Sequence, residues 1–451
     1  MEVSILNGYK IKDKKAIRFY NSVDDMKSDT TLKDEMHVKT KGYYNPNDGG
    51  GAEYHITATE SNSVYQEELE NGLYATLIYE DLVKVEQFGA YGDGVHDDTV
   101  AIQKAIDTHR DVYFNNYYLV SDTLEIYSDS NIIFSTKARI TFTGNGACFY
   151  GDSCFYTHLE NVRVESSNRT GIGILLEKSR NCVITNAHLT NFSTGIKIDG
   201  KDSWSASNVI YNPFIFKFNI GIHLTADLGK QTNDTKVIGG YIIDEIREIT
   251  DADTESVCVK NDASCDTNVF VGTAVEDANI GFLNKSPVAT TPMSLIGCRG
   301  ENITSYYLRS TSACANLNTI ACSFKADSTK VSVSARWDQN LDNKNLSKAY
   351  IGGGAYADKI INYVDGSNTT RQLLNIQSDG IRIGPGNGTK QHVTIRGTDG
   401  SQNPTNYIKA GGADGLVFPK NFVMKSTNKY WKVNIDDTGA ISTEEYTLQD
   451  V

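Results

Sequence analysis

Between residues 158 and 327 the chain repeats itself with a period near 25 residues, and that period restricts the fold more than any other feature. Six segments turn at a small or amide residue after an apolar pair: "HLENVRVES", "VITNAHLTN", "VIYNPFIFK", "VIGGYIIDE", "VFVGTAVED" and "SLIGCRGEN"; "NTIACSFKAD" follows the pattern more loosely. With Asn161, Asn186, Asn212, Gly240, Gly272, Gly297 and Ala321 taken as equivalent, the steps are 25, 26, 28, 32, 25 and 24 residues. A second short strand lies in each period, as in "TGIKID" and "IGIHLT". A unit this short cannot bury its own apolar face and must stack on its neighbours. Two or three β-branched strands per unit predict an all-β chain built on a right-handed parallel β-helix.

An open strand ladder needs its end covered. Ahead of the repeat stands "FGAYGDGVHDDTVAIQKAID", residues 88 to 107. Gly89, Gly92 and Gly94 permit tight turns, Asp97, Asp98 and Thr99 form a helix-capping cluster, and Val100, Ala101, Ile102, Ala105 and Ile106 fall at helical spacing. The expectation is a short helix capping the coil. The acids here read as turn and cap residues, and "GYYNPNDGGGAEY" as a tight hairpin turn rather than a phosphate loop. A net charge of −13 argues against general nucleic-acid binding. No run approaches eighteen apolar residues and the first fifteen lack a signal-peptide core, which predicts neither a membrane span nor a signal peptide. Eight cysteines without CxxC spacing read as buried thiols, and no residue cluster calls for a metal or another cofactor.

The entry "FGAYGDGVHDDTVAIQKAID" with "VYFNNYYLVSDTLEI" resembles that of pectate-lyase-like β-helix proteins, in particular bacteriophage tailspikes and polysaccharide depolymerases. It departs from the family pattern at Asn115-Asn116, where a Pro-Gly turn is usual. Residues 20 to 56 are similar to the leader module of tail proteins, and "YWKVNIDDTGAIST" to a tail-protein ending. The resemblance implies a leader module over 1–84 that attaches to a phage tail or baseplate protein, a β-helix over 85–338, and a C-terminal β domain over 339–451 that trimerises or binds receptor. It further implies a homotrimer in the virion tail, acting on a bacterial surface polysaccharide such as capsule, exopolysaccharide or teichoic acid.

Strand residues alternate between faces, so the repeat alignment also predicts what points outward. Counting four residues past the equivalent position places Glu165, Thr190, Phe216, Asp244, Glu276 and Glu301 in one outward column; two past it stand Arg163, His188, Phe214, Ile242, Ala274 and Arg299. Asp244, Glu276 and Glu301 would stack on three coils at roughly 4.8 Å spacing. Paired carboxylates are what glycosidic hydrolysis requires: neighbours near 5 Å suit retention, whereas Asp244 and Glu301, two coils apart, lie at or just past the inverting range. Phe214 and Phe216 are placed to bind the apolar face of a sugar, and Arg299 an acidic sugar or phosphate. The first expectation is therefore a glycoside hydrolase-type depolymerase. A lyase using Arg299 or Lys325 against a uronate comes second, and a non-catalytic adhesin third.

Overall fold

In a computed structural model of the chain the described residues are 17–310, apart from 62–63, 80, 246–254, 263–264 and 287–292, together with strands at 5–6, 9–10 and between 317 and 446. The chain divides into two units, Met1–Ala355 and Tyr356–Val451. Among the described residues no helix is long and apolar enough to cross a membrane.

The first unit opens with a five-stranded sheet in the order Arg18–Tyr20, His37–Thr40, Glu53–Thr57, Tyr74–Ile78, Gln66–Glu68. Alternation buries Tyr54 and Ile56 and turns Glu53 and His55 outward. The Gly-rich stretch closes as a tight turn around one carboxylate, because Asp48 accepts from the backbone N–H groups of Tyr43, Tyr44, Asn45 and Gly50 at 2.8–3.0 Å.

The capping helix is Thr99–Thr108, and it buries Ile102, Ala105 and Ile106 in the same core as the first coils. Its N-terminus differs from the expected capping cluster. Asp98 turns its carboxylate back onto the glycine turn, accepting from Tyr91 N at 2.6 Å and Gly92 N at 3.2 Å, so that only its backbone carbonyl, which accepts from Ile102 N at 2.9 Å, bonds to the helix. Burial pushes this carboxyl up to about 6. Asp97 instead accepts from Thr99 N, and Asp93 from Val95 N and His96 N.

From there the chain winds as a right-handed parallel β-helix with three strands per coil. The first strands form a ten-stranded parallel ladder from Val83–Lys84 to Leu317–Ile320, through Val183–Thr185, Val209–Tyr211, Lys236–Ile238 and Val269–Val271. The second and third strands, such as Tyr241–Ile243 and Val257–Asn261, stack in two further ladders. Inward residues make a continuous core in which Phe114 stacks on Phe134 at 4.4 Å and Phe270 meets Phe282 edge-on at 6.0 Å. Each such fully buried side chain contributes on the order of 2 kcal/mol. The seven described cysteines are free; six of them are buried.

On six successive coils the first corner carries a residue at positive φ at the equivalent position: Asn161, Asn186, Asn212, Gly239, Gly272 and Gly297, at φ between 47° and 70°; Gly240 follows Gly239 at φ 89°. Asn212 Nδ2 donates to Asn186 Oδ1, and Asn186 Nδ2 to Asn161 Oδ1, each at 3.1 Å. The ladder ends where glycine replaces asparagine. The equivalent glycine is Gly239, not Gly240 as the repeat alignment had it. Phe214, Ile215 and Phe216 pair with Tyr241, Ile242 and Ile243, one residue earlier than expected. A one-residue slip exchanges the faces of a strand, so on this coil Ile242 is buried and Tyr241 and Ile243 face outward.

A β-carbon at Gly239 would meet nothing closer than 3.9 Å, whereas at Gly240 it would lie 2.4 Å from Pro213 Cδ. Gly239→Asn, which can continue the amide ladder, is expected to leave stability within about 0.5 kcal/mol of wild type. Gly240→Asn should cost more than about 2 kcal/mol. Urea unfolding of both variants checks this, and the reverse order would move the corner to residue 240.

The second unit contains two three-stranded antiparallel sheets. One is made of Lys359–Val364, Thr370–Gln377 and Gly380–Ile383; the other of Asn421–Ser426, Lys429–Ile435 and Ile441–Tyr446.

Candidate functional site

Two of the three predicted acids do stand together. Glu276 and Glu301 are register partners on adjacent coils, and Ala274 and Arg299 pair beside them. The arginine bridges both acids, with Nη2 2.6 Å from Glu276 Oε1 and Nη1 3.1 Å from Glu301 Oε1. This cation offsets the like-charge repulsion that the sequence alone would imply. The two carboxylates differ in setting: the Glu276 side chain is 10% exposed, that of Glu301 48%. Glu276 also accepts a hydrogen bond from Tyr241 Oη. Burial, together with this bond, pushes the Tyr241 phenol up to about 12, which keeps it a donor at neutral pH.

Aromatic groups continue the outward surface below the acids. His188 lies 4.5 Å from Phe214, Phe214 lies 6.0 Å from Tyr241, and the Arg299 guanidinium sits 5.9 Å from the Tyr241 ring. Phe216 lies in the neighbouring column with Thr190, Ile243 and Glu276, and its ring carries Lys217 Nζ at 5.3 Å. Burial, and then Arg163, lower the pKa of His188, leaving a neutral ring. The result is a row of flat faces leading to a carboxylate pair, at the sheet spacing of roughly 4.8 Å per coil.

Asp244 does not belong to this column. The slip at Gly239 removes it from register with Glu276, and its side chain is fully buried. Its Oδ1 accepts from Arg169 Nη2 at 2.6 Å and from Phe218 N at 3.1 Å. Arg169 comes from a corner three coils earlier and also donates to Phe218 O. The pair therefore ties distant coils together along the second corner. Within the segment 226–236 the strand Gln231–Asn233 pairs with Trp204–Ala206 and Cys265–Asp266. Lys325 and residues 246–254 lie outside the described residues.

A family model described as rhamnogalacturonase A/epimerase, pectate lyase-like, matches residues 82–156. The enzymatically active domain of tailspike protein 2 from bacteriophage CBA120 superposes with a TM-score of 0.51 at 13% identity, over 96% of this chain and 81% of that one. The gp42 tailspike of Acinetobacter phage vb_AbaP_AS12 gives 0.50 at 13% identity, over 96% and 94%. The fold is that of the tailspike-type, pectate-lyase-like β-helix. A curated relative, plasmin and fibronectin-binding protein A of Streptococcus pneumoniae strain ATCC BAA-255 / R6, is 34% identical over 93 residues, which span 19% of this chain and 13% of that relative's length.

On this tailspike-type β-helix the sequence reading missed Tyr241 and Arg169. Tyr241 was one position away, hidden by the choice between two consecutive glycines. Arg169 sits in a corner segment with no repeat signal of its own. Removing one member of a buried pair leaves the other uncompensated. Asp244→Asn is therefore expected to lower stability by about 3 kcal/mol, somewhat less if the partly exposed Arg169 rehydrates. Denaturant unfolding checks it; a variant as stable as wild type would mean that the pair holds nothing together.

Proposed function

We propose that this chain depolymerises a bacterial surface polysaccharide by hydrolysis at Glu276 and Glu301. The observation that carries the reading is the in-register carboxylate pair with Arg299 between its members and an aromatic row beside it. Phe214 and Tyr241 offer ring faces for sugars, with Phe216 in the adjoining column, so that a glycan runs across the strands, parallel to the coil axis. Arg299 is the substrate-binding cation. Its contact with Glu301 is exposed and weak, so a sugar carboxylate or hydroxyl that engages the guanidinium frees Glu301.

Glu276, held by Tyr241 and Arg299, serves as the ionised carboxylate, and Glu301, once released and protonated, as the acid. Glu301 gives its proton to the glycosidic oxygen as the bond to the anomeric carbon breaks, and Glu276 attacks that carbon. Water, deprotonated by Glu301, then displaces the sugar from Glu276. Register partners on neighbouring coils are spaced at roughly 4.8 Å, which supports retention of configuration, for which carboxyl groups stand roughly 5 Å apart. On the same reading the protein is a homotrimer of the virion tail, attached through its N-terminal module.

Glu276→Gln and Glu301→Gln are each expected to lower turnover at least about a hundredfold. Glu165→Gln, in the same column but four coils away, should be silent. Reducing ends released from capsule, exopolysaccharide and teichoic-acid preparations measure the activity. An unsaturated product instead would make the protein a lyase, and binding without cleavage an adhesin. Sedimentation of the full chain should give three copies per particle; a monomer would remove the trimer from the reading.

A further inference from the structure

The strands after the second corner present a different outward surface. Tyr150, Leu175, Lys197, His223 and Lys260 stand in register on successive coils, and beside them run Asp152, Glu177, Asp199 and Thr225. The first column carries Lys197, His223 and Lys260 on three successive coils, and the second the acids Asp152, Glu177 and Asp199. Lys197 pairs with Asp199 at 2.8 Å and Lys260 with Asp262 at 2.7 Å. Each aspartate lies two residues further along its lysine's strand direction and fixes the ammonium over the sheet, while the lysine keeps other donor hydrogens for a ligand. Lys197 and Lys260 are two coils apart, roughly 10 Å, with His223 between them.

His223 is the member whose bonding is incomplete. Its side chain is 14% exposed, and its Nε2 is buried with no hydrogen bond among the described residues. Asp262 Oδ2 lies 3.7 Å away, beyond hydrogen-bond reach. Burial lowers the imidazole pKa; Asp262 partly opposes this, and Lys260 and Lys197 reinforce it. A buried polar atom without a partner is costly unless something supplies the missing bond. Here the site is flanked by two held cations in a chain whose net charge is −13.

We propose that this strip is a second glycan site, separate from the Glu276–Glu301 pair, which takes an acidic sugar. The sugar carboxylate lies on Lys197 or Lys260 and a ring hydroxyl bonds His223 Nε2, so that a polymer with recurring carboxylates spans the two lysines along the coil axis. The proposal rests on the reading that the ligand is a glycan, but it assigns binding and no bond cleavage to the strip.

Affinity electrophoresis of the full chain through gels containing polygalacturonate or dextran tests it. The wild type is expected to be retarded by polygalacturonate and not by dextran. A Lys197→Gln/Lys260→Gln variant that keeps the wild-type circular dichroism should lose at least about tenfold in apparent affinity. His223→Gln, which changes neither lysine, should lose a measurable part of it and guards against misfolding of the double variant. The tenfold loss should be the same when the lysine substitutions are made on a Glu276→Gln/Glu301→Gln background, so a failure of the hydrolase reading leaves this result standing. Equal retardation of wild type and both strip variants, or equal retardation by dextran, overturns the proposal.

Discussion

Six successive coils place a left-handed residue at their first corner, and the faces of the strand that follows are set by where that residue falls. Asparagine tolerates the conformation and adds an amide bond to the coil below; glycine adopts it freely but contributes no ladder. The change from Asn212 to Gly239 therefore marks a change in what holds the corner. Above it the corner is glycine on three coils, and the outward residues of those coils include the carboxylate pair.

Charge is used in two distinct ways around this part of the coil. Asp244 and Arg169 meet at the second corner, where a buried acid and a partly exposed guanidinium link coils that are not neighbours in the ladder. Such a pair gives little net stability over an apolar substitute, yet the loss of one partner is costly. Glu276, Arg299 and Glu301 meet on the outside, with the arginine half-exposed and free to change partners. The first arrangement is fixed, whereas the second has an exposed contact that a ligand can replace. Stacked sheets put both within a few coils because the same spacing of roughly 4.8 Å governs every column.

Much of the fold was legible because the repeat period, the αL asparagines and the helix before the first coils are local signals. The alternation rule then placed Glu276, Glu301, Arg299, Phe214 and Phe216 outward, as the register has them. It failed at Gly239-Gly240, where two glycines serve equally well as a turn in sequence and only the packing of Pro213 distinguishes them. That ambiguity sent Asp244 to the wrong face and hid Tyr241. Asp98 misled for a related reason: a carboxylate ahead of a helix has two sets of backbone donors in reach, and here the glycine turn wins. Arg169 could not be read at all, since its partner lies 75 residues away and on another coil.

On the proposed function, a glycan lies along the coil axis over Tyr241, Glu276, Arg299 and Glu301. The most direct test is an experimental structure of the Glu301→Gln protein soaked with oligosaccharides released by the wild type. Sugar rings are expected across the Phe214–Tyr241 row, with a glycosidic oxygen against residue 301 and the anomeric carbon facing Glu276. Sugars seated only between subunits, or only on the N-terminal module, would contradict it.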